Sequence, residues 1–546
     1  MEKKENCGIT DPFAQTCSSV ISRVADIAIL VLMTVFPLIY HESYIDILQT
    51  KYRCYWLCIV IMLGILLILS SIMLFVDGKE FKWEHTKQTL SGLLPKNWKQ
   101  TFYAADAAVL LFWLIALIST MQSDFFYESV WGNEGRFSGL FLLTVYVASY
   151  FVISRFWKPG GWCLELFLIS GMVMCFIGIT DYFQMDILDF RDNINPNQVT
   201  IFTSTVGNIN TYTAYVGMIM GVSAGMFSLA KKPLWAVWYY LCLAVSFLAI
   251  ITGCSDNAYL SIAALFGLLP FVLFRNREGV RRYLILVATF FTVVLAVDWI
   301  NQEYDGVVIG IDSLFRIIAN YSKLPYVVAA LWGIAALFWL WGRKPERADF
   351  LFNKKICLVH LWGALMAVGF LAVAFLFYDA NLGGNAERYG SLGKYLVFND
   401  SWGTSRGYIW KAAMRMYQDF TPLHKIFGFG PDTFGCLTDK VIRDEMVAAT
   451  GQFFDNVHNA YLHYLLTIGP IGMAAYIAFL ATSCWRFFQD RGKRPFILGA
   501  MLAVACYGAQ ALVNLELPIA TPMMWLILSI GMAGCRRGDD RTERSV

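Results

Sequence analysis

Charged residues are scarce in this chain. Only 15% of its 546 residues are charged, whereas 58% are hydrophobic, and the mean hydropathy is +0.54. Soluble globular domains carry about a quarter charged residues. The composition therefore excludes an ordinary soluble domain.

Other features are missing as well. Short segments of alternating polarity, which are typical of membrane β-barrels, are absent. The 13 cysteines contain no Cys-x-x-Cys pair and lie mostly in apolar runs, which argues against a zinc site or a disulfide framework. We expect no cleavable signal peptide, because the first apolar run follows a polar segment and lacks a small-residue cleavage site.

Long apolar runs make up most of the chain. They recur throughout at lengths that cross a hydrocarbon core of about 30 Å, and they predict an all-α, polytopic transmembrane helix bundle. The fourteen predicted spans are 24–40, 55–76, 103–121, 138–153, 162–183, 210–230, 235–252, 258–274, 283–300, 326–341, 358–378, 461–485, 496–514 and 518–534.

The distribution of Lys and Arg predicts the orientation of the bundle. These residues concentrate in the N-terminal segment, in every second connection and in the C-terminal tail, so the positive-inside rule places both termini in the cytoplasm. The predicted divisions are a cytoplasmic segment (1–23), the first part of the bundle (24–378), an extracytoplasmic loop (379–457), the last part of the bundle (458–534) and a cytoplasmic tail (535–546).

The long loop contains a predicted amphipathic helix. From Tyr408 to Phe420 apolar residues recur at helical spacing, with Lys411 on the opposite face. We expect Thr404 or Ser405 to cap this helix. The segment FGFGPDTFG follows and predicts a turn, because its glycines and proline interrupt regular structure.

Several short motifs occur in a fixed order along the chain. GRFSGLF precedes a span, GNINTYTAY leads into one, SRGYIW opens the loop helix, GFGP follows it, and VHNAYLHYLLTIG leads into the next span. This order, with QALVNLELPIATPMMWLILSIG near the end, resembles the O-antigen ligase and polymerase superfamily of membrane glycosyltransferases. The resemblance covers approximately residues 131–534.

The resemblance implies an activity. It implies transfer of a glycan from a polyprenyl diphosphate to an acceptor hydroxyl, glycan or lipid, at the outer face of the membrane, with inversion of the anomeric centre. No metal and no cofactor is implied, and the predicted external loops contain no Asp-x-Asp motif. The leaving diphosphate would then be stabilised by Arg or Lys side chains and backbone amides. The lipid bilayer is an expected partner and nucleic acid is not.

Two arginines are candidates for binding the donor diphosphate. Arg406 matches the loop Arg of the family and lies at a predicted helix start, which favours phosphate. Alternatively, it anchors the helix to lipid headgroups. Arg136 is the one basic residue of its connection, between Gly135 and Gly139. Its alternative role is that of an interfacial arginine whose charge reaches toward water.

His458 is the candidate catalytic base. The resemblance implies that this histidine activates the acceptor hydroxyl, and an imidazole with a pKa near neutrality suits that role. Asp455, three residues earlier, is a candidate for orienting the ring. The alternative is a histidine at a helix start, satisfied by a backbone carbonyl. His463 is interpreted as structural.

Five further side chains are possible substrate contacts. Asn208 and Asn210 match the family's Gly-Asn-x-Asn, although a capping role at the helix start is an equally good interpretation. Asn459 follows the candidate base. Trp410 and Tyr461 would line a sugar or lipid channel, but aromatic residues are also common at membrane interfaces without such a role.

One position departs from the family pattern. Where many members carry an Arg in a short Ser-Arg motif, this chain reads TGCSDNAYL, with Asp256 and Asn257. A phosphate contact would then be lost, be supplied by Arg136, Lys394 or Arg415, or belong to a different donor.

Other functions are alternatives to the ligase hypothesis. A polymerase differs from a ligase only in its acceptor. A transporter or lipid flippase would show interrupted helices, paired charges at the midplane or inverted repeats, whereas Asp106, Asp181 and Asp298 fall near span ends. An inactive scaffold or sensor is the third hypothesis, favoured by Asp256 and opposed by the presence of Arg406 and His458.

Overall fold

Helices dominate the structure because a chain in hydrocarbon must satisfy its backbone hydrogen bonds within each segment. The computed structural model describes residues 12–92, 102–191, 194–311, 313–342 and 358–542. The predicted all-α membrane bundle is confirmed at this level. The first eleven residues of the predicted N-terminal segment and the last four of the predicted tail lie outside the described residues.

The first half of the chain forms eleven described helices and one two-stranded sheet. These helices are α1 (Pro12–Thr34), α2 (Ile47–Phe81), α3 (Glu84–Gly92), α4 (Ala104–Met121), α5 (Phe126–Trp131), α6 (Leu140–Phe156), α7 (Trp162–Tyr182), α8 (Ile209–Leu229), α9 (Pro233–Thr252), α10 (Ala258–Leu268) and α11 (Pro270–Leu273). Strands β1 (Phe202–Thr203) and β2 (Gly207–Asn208) pair antiparallel, just after a 3₁₀ turn at Pro196–Ile201.

The second half adds twelve described helices. They are α12 (Arg277–Glu303), α13 (Leu314–Ala319), α14 (Leu324–Gly342), α15 (Leu358–Asn381), α16 (Gly393–Leu396), α17 (Trp402–Asp419), α18 (Pro422–Phe427), α19 (Phe434–Val441), α20 (Arg443–Thr450), α21 (Ala460–Asp490), α22 (Pro495–Gln510) and α23 (Thr521–Thr542). A 3₁₀ turn at Ala386–Leu392 precedes α16.

Among the described residues, nine helices are long and apolar enough to cross a membrane by length and composition. These are α1, α2, α4, α7, α8, α9, α12, α15 and α21. Shorter apolar helices cover four more predicted spans, and α23 covers the last. Each predicted span therefore lies on a helix, while the number of fourteen crossings remains a prediction.

The centre of the bundle is a close pairing of α8 with α22. Added side-chain atoms at Gly221 and Gly225 would lie 2.6 Å from the backbone of Ala503 and 2.5 Å from that of Gly499. Small residues let helix backbones approach in membranes, where van der Waals packing replaces the hydrophobic driving force. This pairing fixes the end of α22 against the start of α8, close to the candidate site.

A buried ionic cluster closes the end of the bundle opposite the long loop. The Asp106 carboxylate, 0% exposed, accepts hydrogen bonds from Arg155 Nη2 at 3.1 Å and Arg536 Nη2 at 2.7 Å. It also accepts from the Tyr150 hydroxyl at 2.8 Å and from the Tyr103 backbone N–H at 2.8 Å. One carboxylate thus joins α4, α6 and α23.

Replacing Asp106 with Ala should lower the free energy of unfolding by about 3–5 kcal/mol, because two largely buried guanidinium groups lose their counter-charge. Unfolding in detergent, followed by tryptophan fluorescence, measures this change. Asp439→Ala is the matched control, since Asp439 pairs with Arg443 at the exposed surface and should contribute about 0–1 kcal/mol. Equal effects of the two substitutions would contradict the assignment.

Candidate active site

The segment between α15 and α21 folds on itself. The predicted amphipathic helix is present as α17, and its buried face includes Ile409, Ala413 and Met416. That face packs on other residues of the same segment, such as Phe434 and Val457, in a hydrophobic cluster of its own. The helix is thereby held in place by packing within the loop.

The predicted cap of α17 is wrong. Gly403, Thr404 and Ser405 have φ values of +59°, +56° and +69°, so the chain makes a left-handed turn at this point. The Thr404 hydroxyl donates to the Gly403 carbonyl at 2.6 Å instead of accepting from a helix N–H. Regular helical geometry therefore begins at Arg406, which faces inward from the first turn.

A break in α21 receives the Gly-Pro turn. Gly469 has a φ of +76° and precedes Pro470, so the helical hydrogen-bond pattern is interrupted there. The Thr467 carbonyl accepts the Gly430 backbone N–H at 2.7 Å and the Ser119 hydroxyl at 2.9 Å. The loop turn is thus hydrogen-bonded directly to the membrane helices.

The glycines of the turn permit this close approach. Gly430 has a φ of +108°, and an added Cβ there would lie 2.2 Å from Ser129 Oγ. The Gln122 amide donates to the Gly428 carbonyl at 2.6 Å, and the Ser123 hydroxyl donates to the Phe429 carbonyl. The turn therefore packs against the end of α4 and against α5.

Asp432 connects the turn to the connection that contains Arg136. Its carboxylate, 3% exposed, accepts the backbone N–H groups of Asn133 and Ser138 at 2.9 and 3.0 Å. Burial raises the pKa of Asp432 to about 7, against the opposing effect of those two donors. Sequence reasoning missed this residue, although its place directly after GFGP was a usable signal.

Arg136 and Asp455 form a two-pronged ion pair. Arg136 Nε and Nη2 donate to the two carboxylate oxygens of Asp455 at 2.9 and 2.7 Å. The pKa of Asp455 is lowered, because the Arg136 hydrogen bond and charge outweigh burial. Asp455, the candidate for orienting the His458 ring, accepts no hydrogen bond from that ring among the described residues, although its charge partly offsets the lowering of the pKa of His458 by burial.

His458 lies beside this pair with a neutral ring. Its backbone is left-handed, with a φ of +54°, and its N–H donates to the Asn456 amide oxygen at 2.9 Å. Ring atom Nδ1 is buried and has no hydrogen-bond partner among the described residues. Burial, followed by the charges of Arg406 and Arg136, lowers the pKa of His458 to about 3.

Arg406 is a buried cation with an incomplete set of partners. Its side chain is 9% exposed, Nη1 donates to the Gly403 carbonyl at 2.7 Å, and Nε has no partner in the described part of the chain. Burial lowers the pKa of Arg406 to about 10, and the charge of Asp256 opposes this shift. Since an uncompensated buried charge is costly, the arrangement favours binding of an anion.

Asn456 is hydrogen-bonded both to the His463 ring and to the backbone of His458, the candidate base. The Asn456 amide donates to His463 Nδ1 at 3.3 Å, which places the ring proton on Nε2, 4.0 Å from the Asp432 carboxylate. Asn456 also accepts the backbone N–H of His458, so one amide joins the two histidines. The interpretation of the buried His463 as a structural residue agrees with these contacts and remains a prediction.

The predicted substrate contacts all have structural partners. Asn208 caps α8 by accepting the Asn210 N–H, and Asn459 caps α21 by accepting the Leu462 N–H. Asn210 Oδ1 accepts a hydrogen bond from the Ser255 hydroxyl. Trp410 Nε1 donates to the Val457 carbonyl, and the Tyr461 hydroxyl donates to the Gly508 carbonyl. The capping interpretation of Asn208 agrees with this geometry, and roles in binding remain predictions.

Asp256, the residue that departs from the family pattern, lies near Arg406. Burial raises the pKa of Asp256, while the charge of Lys394, a hydrogen bond from Tyr395 and the charge of Arg406 lower it. The amide Nδ2 of Asn257 is buried without a partner in the described structure. Lys394 therefore lies near the site. Arg415 does not fit that role, because it is paired with the exposed Glu445 at 2.5 Å.

Metal-ligand spacing occurs elsewhere in the described residues. His41, Glu42 and Asp46 are close enough together to hold an ion, but they are largely exposed and lie before α2. They do not belong to the cluster around Arg406 and His458, in which the carboxylate of Asp455 is paired with Arg136 and that of Asp256 lies near Arg406.

Comparison with known proteins identifies a domain in the second half of the chain. Residues 308–477 match the family model described as O-antigen ligase, which confirms the resemblance for this part of the chain. The match includes Arg406, the Gly-Pro turn and His458. No curated protein matches the chain.

The neutral state of His458 predicts a pH dependence of stability. In the unfolded chain the imidazole takes up a proton near its usual pKa of 6.5, whereas the folded chain resists protonation down to about pH 3. The stabilisation is therefore present above pH 6.5 and is lost as the pH falls toward 3. His458→Asn, which tolerates the left-handed backbone, should flatten this dependence in denaturation measured from pH 7.5 to 4.5.

His41 provides a control of opposite sign. It is exposed, and its hydrogen bond with Asp46 raises its pKa, so its small contribution is lost as the pH rises. His41→Asn should leave the low-pH loss of stability in place. If His458→Asn and wild type lose the same free energy of unfolding between pH 7.5 and 4.5, the ring is not held neutral.

Proposed function

We propose that this chain, a multi-pass membrane protein with an O-antigen ligase domain, is a metal-independent, inverting glycosyltransferase. It transfers a glycan from a polyprenyl diphosphate to an acceptor hydroxyl at the outer face of the cytoplasmic membrane, during assembly of a surface polysaccharide. The observation that carries the proposal is that two buried groups with unused hydrogen-bonding atoms lie near each other. These are Arg406, whose Nε has no partner among the described residues, and His458, whose Nδ1 has none.

Arg406 suits the leaving diphosphate. Its guanidinium is desolvated, is not tied to a carboxylate, and projects from the first regular turn of α17, where the helix dipole favours an anion. Arg136 adds positive charge but is held by Asp455, so its contribution is mainly to the field. Fixed cationic donors of this kind stabilise charge that develops as the bond breaks.

His458 suits the acceptor. A neutral imidazole takes the proton of the acceptor hydroxyl while its oxygen attacks the anomeric carbon from the face opposite the diphosphate. The carbon–oxygen bond to the diphosphate breaks, and its electron pair leaves with the diphosphate. One displacement of this kind inverts the anomeric centre.

Donor binding would also strengthen the base. The positive charges of Arg406 and Arg136 contribute to the low pKa of His458 in the free protein. A bound diphosphate offsets those charges and raises the pKa of the ring toward the working pH. Burial, the largest cause of the low pKa, remains, so the donor would strengthen the base by removing only the part of the shift that comes from the arginine charges.

The arrangement supports an extracytoplasmic site. Three connections meet at the site: residues 122–139, which contain Arg136; residues 253–257, which contain Asp256; and residues 382–459, which contain Arg406 and His458. All three lie outside in the topology proposed from the positive-inside rule. A polymerase would use the same chemistry with the end of a growing chain as acceptor.

His458→Ala should reduce transfer about 10²–10⁴-fold, the usual contribution of a general base, without loss of membrane insertion. The measurement is transfer by the purified, reconstituted protein from the polyprenyl-diphosphate glycan of its own host, with EDTA present. His360→Ala, at an exposed position on α15, is the control and should keep full activity. Undiminished transfer by His458→Ala would remove the residue from the role of base.

Arg406→Ala should raise the donor KM more than Arg406→Lys, because Lys keeps the charge but loses the planar pair of donors. The same transfer assay, at varied donor concentration, measures both values. Arg415→Ala, on the same helix but paired with Glu445, should behave as wild type. Unchanged kinetics in both Arg406 variants would show that the donor binds elsewhere.

A further inference from the structure

A cavity of about 540 Å³ lies at the end of α12, between the connection that follows it and α13. Its inner wall is apolar and includes Ile251, Val294 and Phe315, of which Phe315 is 2% exposed. The volume falls within the range of about 300–1,000 Å³ that small-molecule sites occupy. The proposed transfer mechanism does not use this cavity.

Part of the polar lining is fixed by the protein itself. Asn301 accepts from the Tyr182 hydroxyl at 2.5 Å and donates to the Val297 carbonyl at 2.7 Å. The Gln302 amide donates to the Asp298 carboxylate at 2.8 Å. These bonds hold the wall in one geometry, which reduces the cost of ordering it around a ligand.

The outer lining of the cavity offers polar side chains that are available to bind a ligand. Asp305, Arg316 and Asn320 line the cavity and are exposed, and their side chains have no hydrogen-bond partner within the described residues. They offer a carboxylate acceptor, a guanidinium donor and an amide with both functions. Neighbouring hydroxyl groups, which both donate and accept, complement such a set.

The charge of the lining argues against a diphosphate in this cavity. Two carboxylates, Asp298 and Asp305, face one guanidinium, Arg316, so the lining carries a net negative charge. Like charges repel most strongly where water is partly excluded. An uncharged, hydroxyl-rich ring with an apolar face fits both the lining and the apolar inner wall, and saccharide units have that chemistry.

One short connection separates the cavity from Arg406. The Phe315 N–H donates to the Tyr259 hydroxyl at 3.0 Å, and the Cys254 thiol contacts the Gly310 carbonyl at 3.5 Å. Between Cys254 and Tyr259 in the chain lies Asp256, whose charge acts on Arg406. The connection 253–257 therefore contacts a segment that lines the cavity and also carries the charge that acts on Arg406.

We propose that this cavity is a sugar-binding subsite, which takes a saccharide unit of a substrate through its hydroxyl groups. The inference rests on the proposed function, because it adds a glycan contact to the same reaction. The donor glycan and a glycan acceptor share the required chemistry, and kinetic measurements separate these two sources.

Direct binding tests the subsite without transfer. The probe is the oligosaccharide released by mild acid from the host's own lipid-linked glycan, added to the full chain in nanodiscs and followed by saturation-transfer NMR. The double substitution Asp305→Ala with Asn320→Ala should weaken binding about tenfold or more, since it removes two hydrogen-bonding side chains. Ala319→Trp should block the cavity, as Ala319 lines it.

Two control variants define the outcome. Glu303→Ala removes an exposed carboxylate near Asp305 that does not line the cavity, and it should bind as wild type. Arg406→Ala should also bind the free oligosaccharide, because the probe carries no diphosphate. No binding by wild type, or equal binding by wild type and both cavity variants, would overturn the proposal.

Transfer kinetics then identify the source of the sugar. If the donor glycan occupies the cavity, the double variant raises KM for the full-length donor but not for a donor with a single sugar. If the acceptor occupies it, the acceptor KM rises instead, and no change in either KM overturns the role in transfer. Oligosaccharide binding that depends on the cavity, in a wild-type protein that transfers nothing, would refute the proposed function and leave the subsite standing.

Discussion

The hydrogen bonds between the Gly-Pro turn and the membrane helices are the constraint on which the candidate site depends. A polar loop at the end of an apolar bundle adopts one position only when specific hydrogen bonds and packing contacts fix it there. Here the broken helix α21 presents the Thr467 carbonyl to Gly430, and Asp432 accepts two backbone N–H groups from the connection of Arg136. Because an unpaired buried polar group is costly, displacing the turn would leave several groups unsatisfied at once.

Electrostatics within the site follow from that docking. The loop brings Arg406 and His458 into a volume with little water, where burial disfavours the charged forms of both groups. Asp455 neutralises Arg136, but the only carboxylate whose charge is seen to act on Arg406 in the described structure is Asp256. An anion beside Arg406 would offset a buried positive charge whose Nε atom has no partner among the described residues.

The extent of prediction from sequence differs between the bundle and the site. Each apolar run that hydropathy predicted lies on a helix of the described structure, because burial in lipid requires a locally apolar composition. Asp455 was assigned to His458 because the two are close in sequence, whereas its partner Arg136 is 319 residues away, a distance that local reasoning cannot bridge. The predicted cap of α17 was also wrong, since Gly403, Thr404 and Ser405 form a left-handed turn that helical spacing does not reveal.

Asp256, at a position where the sequence resemblance leads us to expect an arginine, lies near Arg406. An Arg at that place would add a second cation next to Arg406, and an Asp instead supplies a weak counter-charge, with its own pKa raised by burial. The positive charge around Arg406 is thereby reduced on the side of Asp256, while Arg136 is already paired with Asp455. A carboxylate at this position accepts hydrogen bonds from hydroxyl groups, whereas an arginine in its place would donate hydrogen bonds to phosphate.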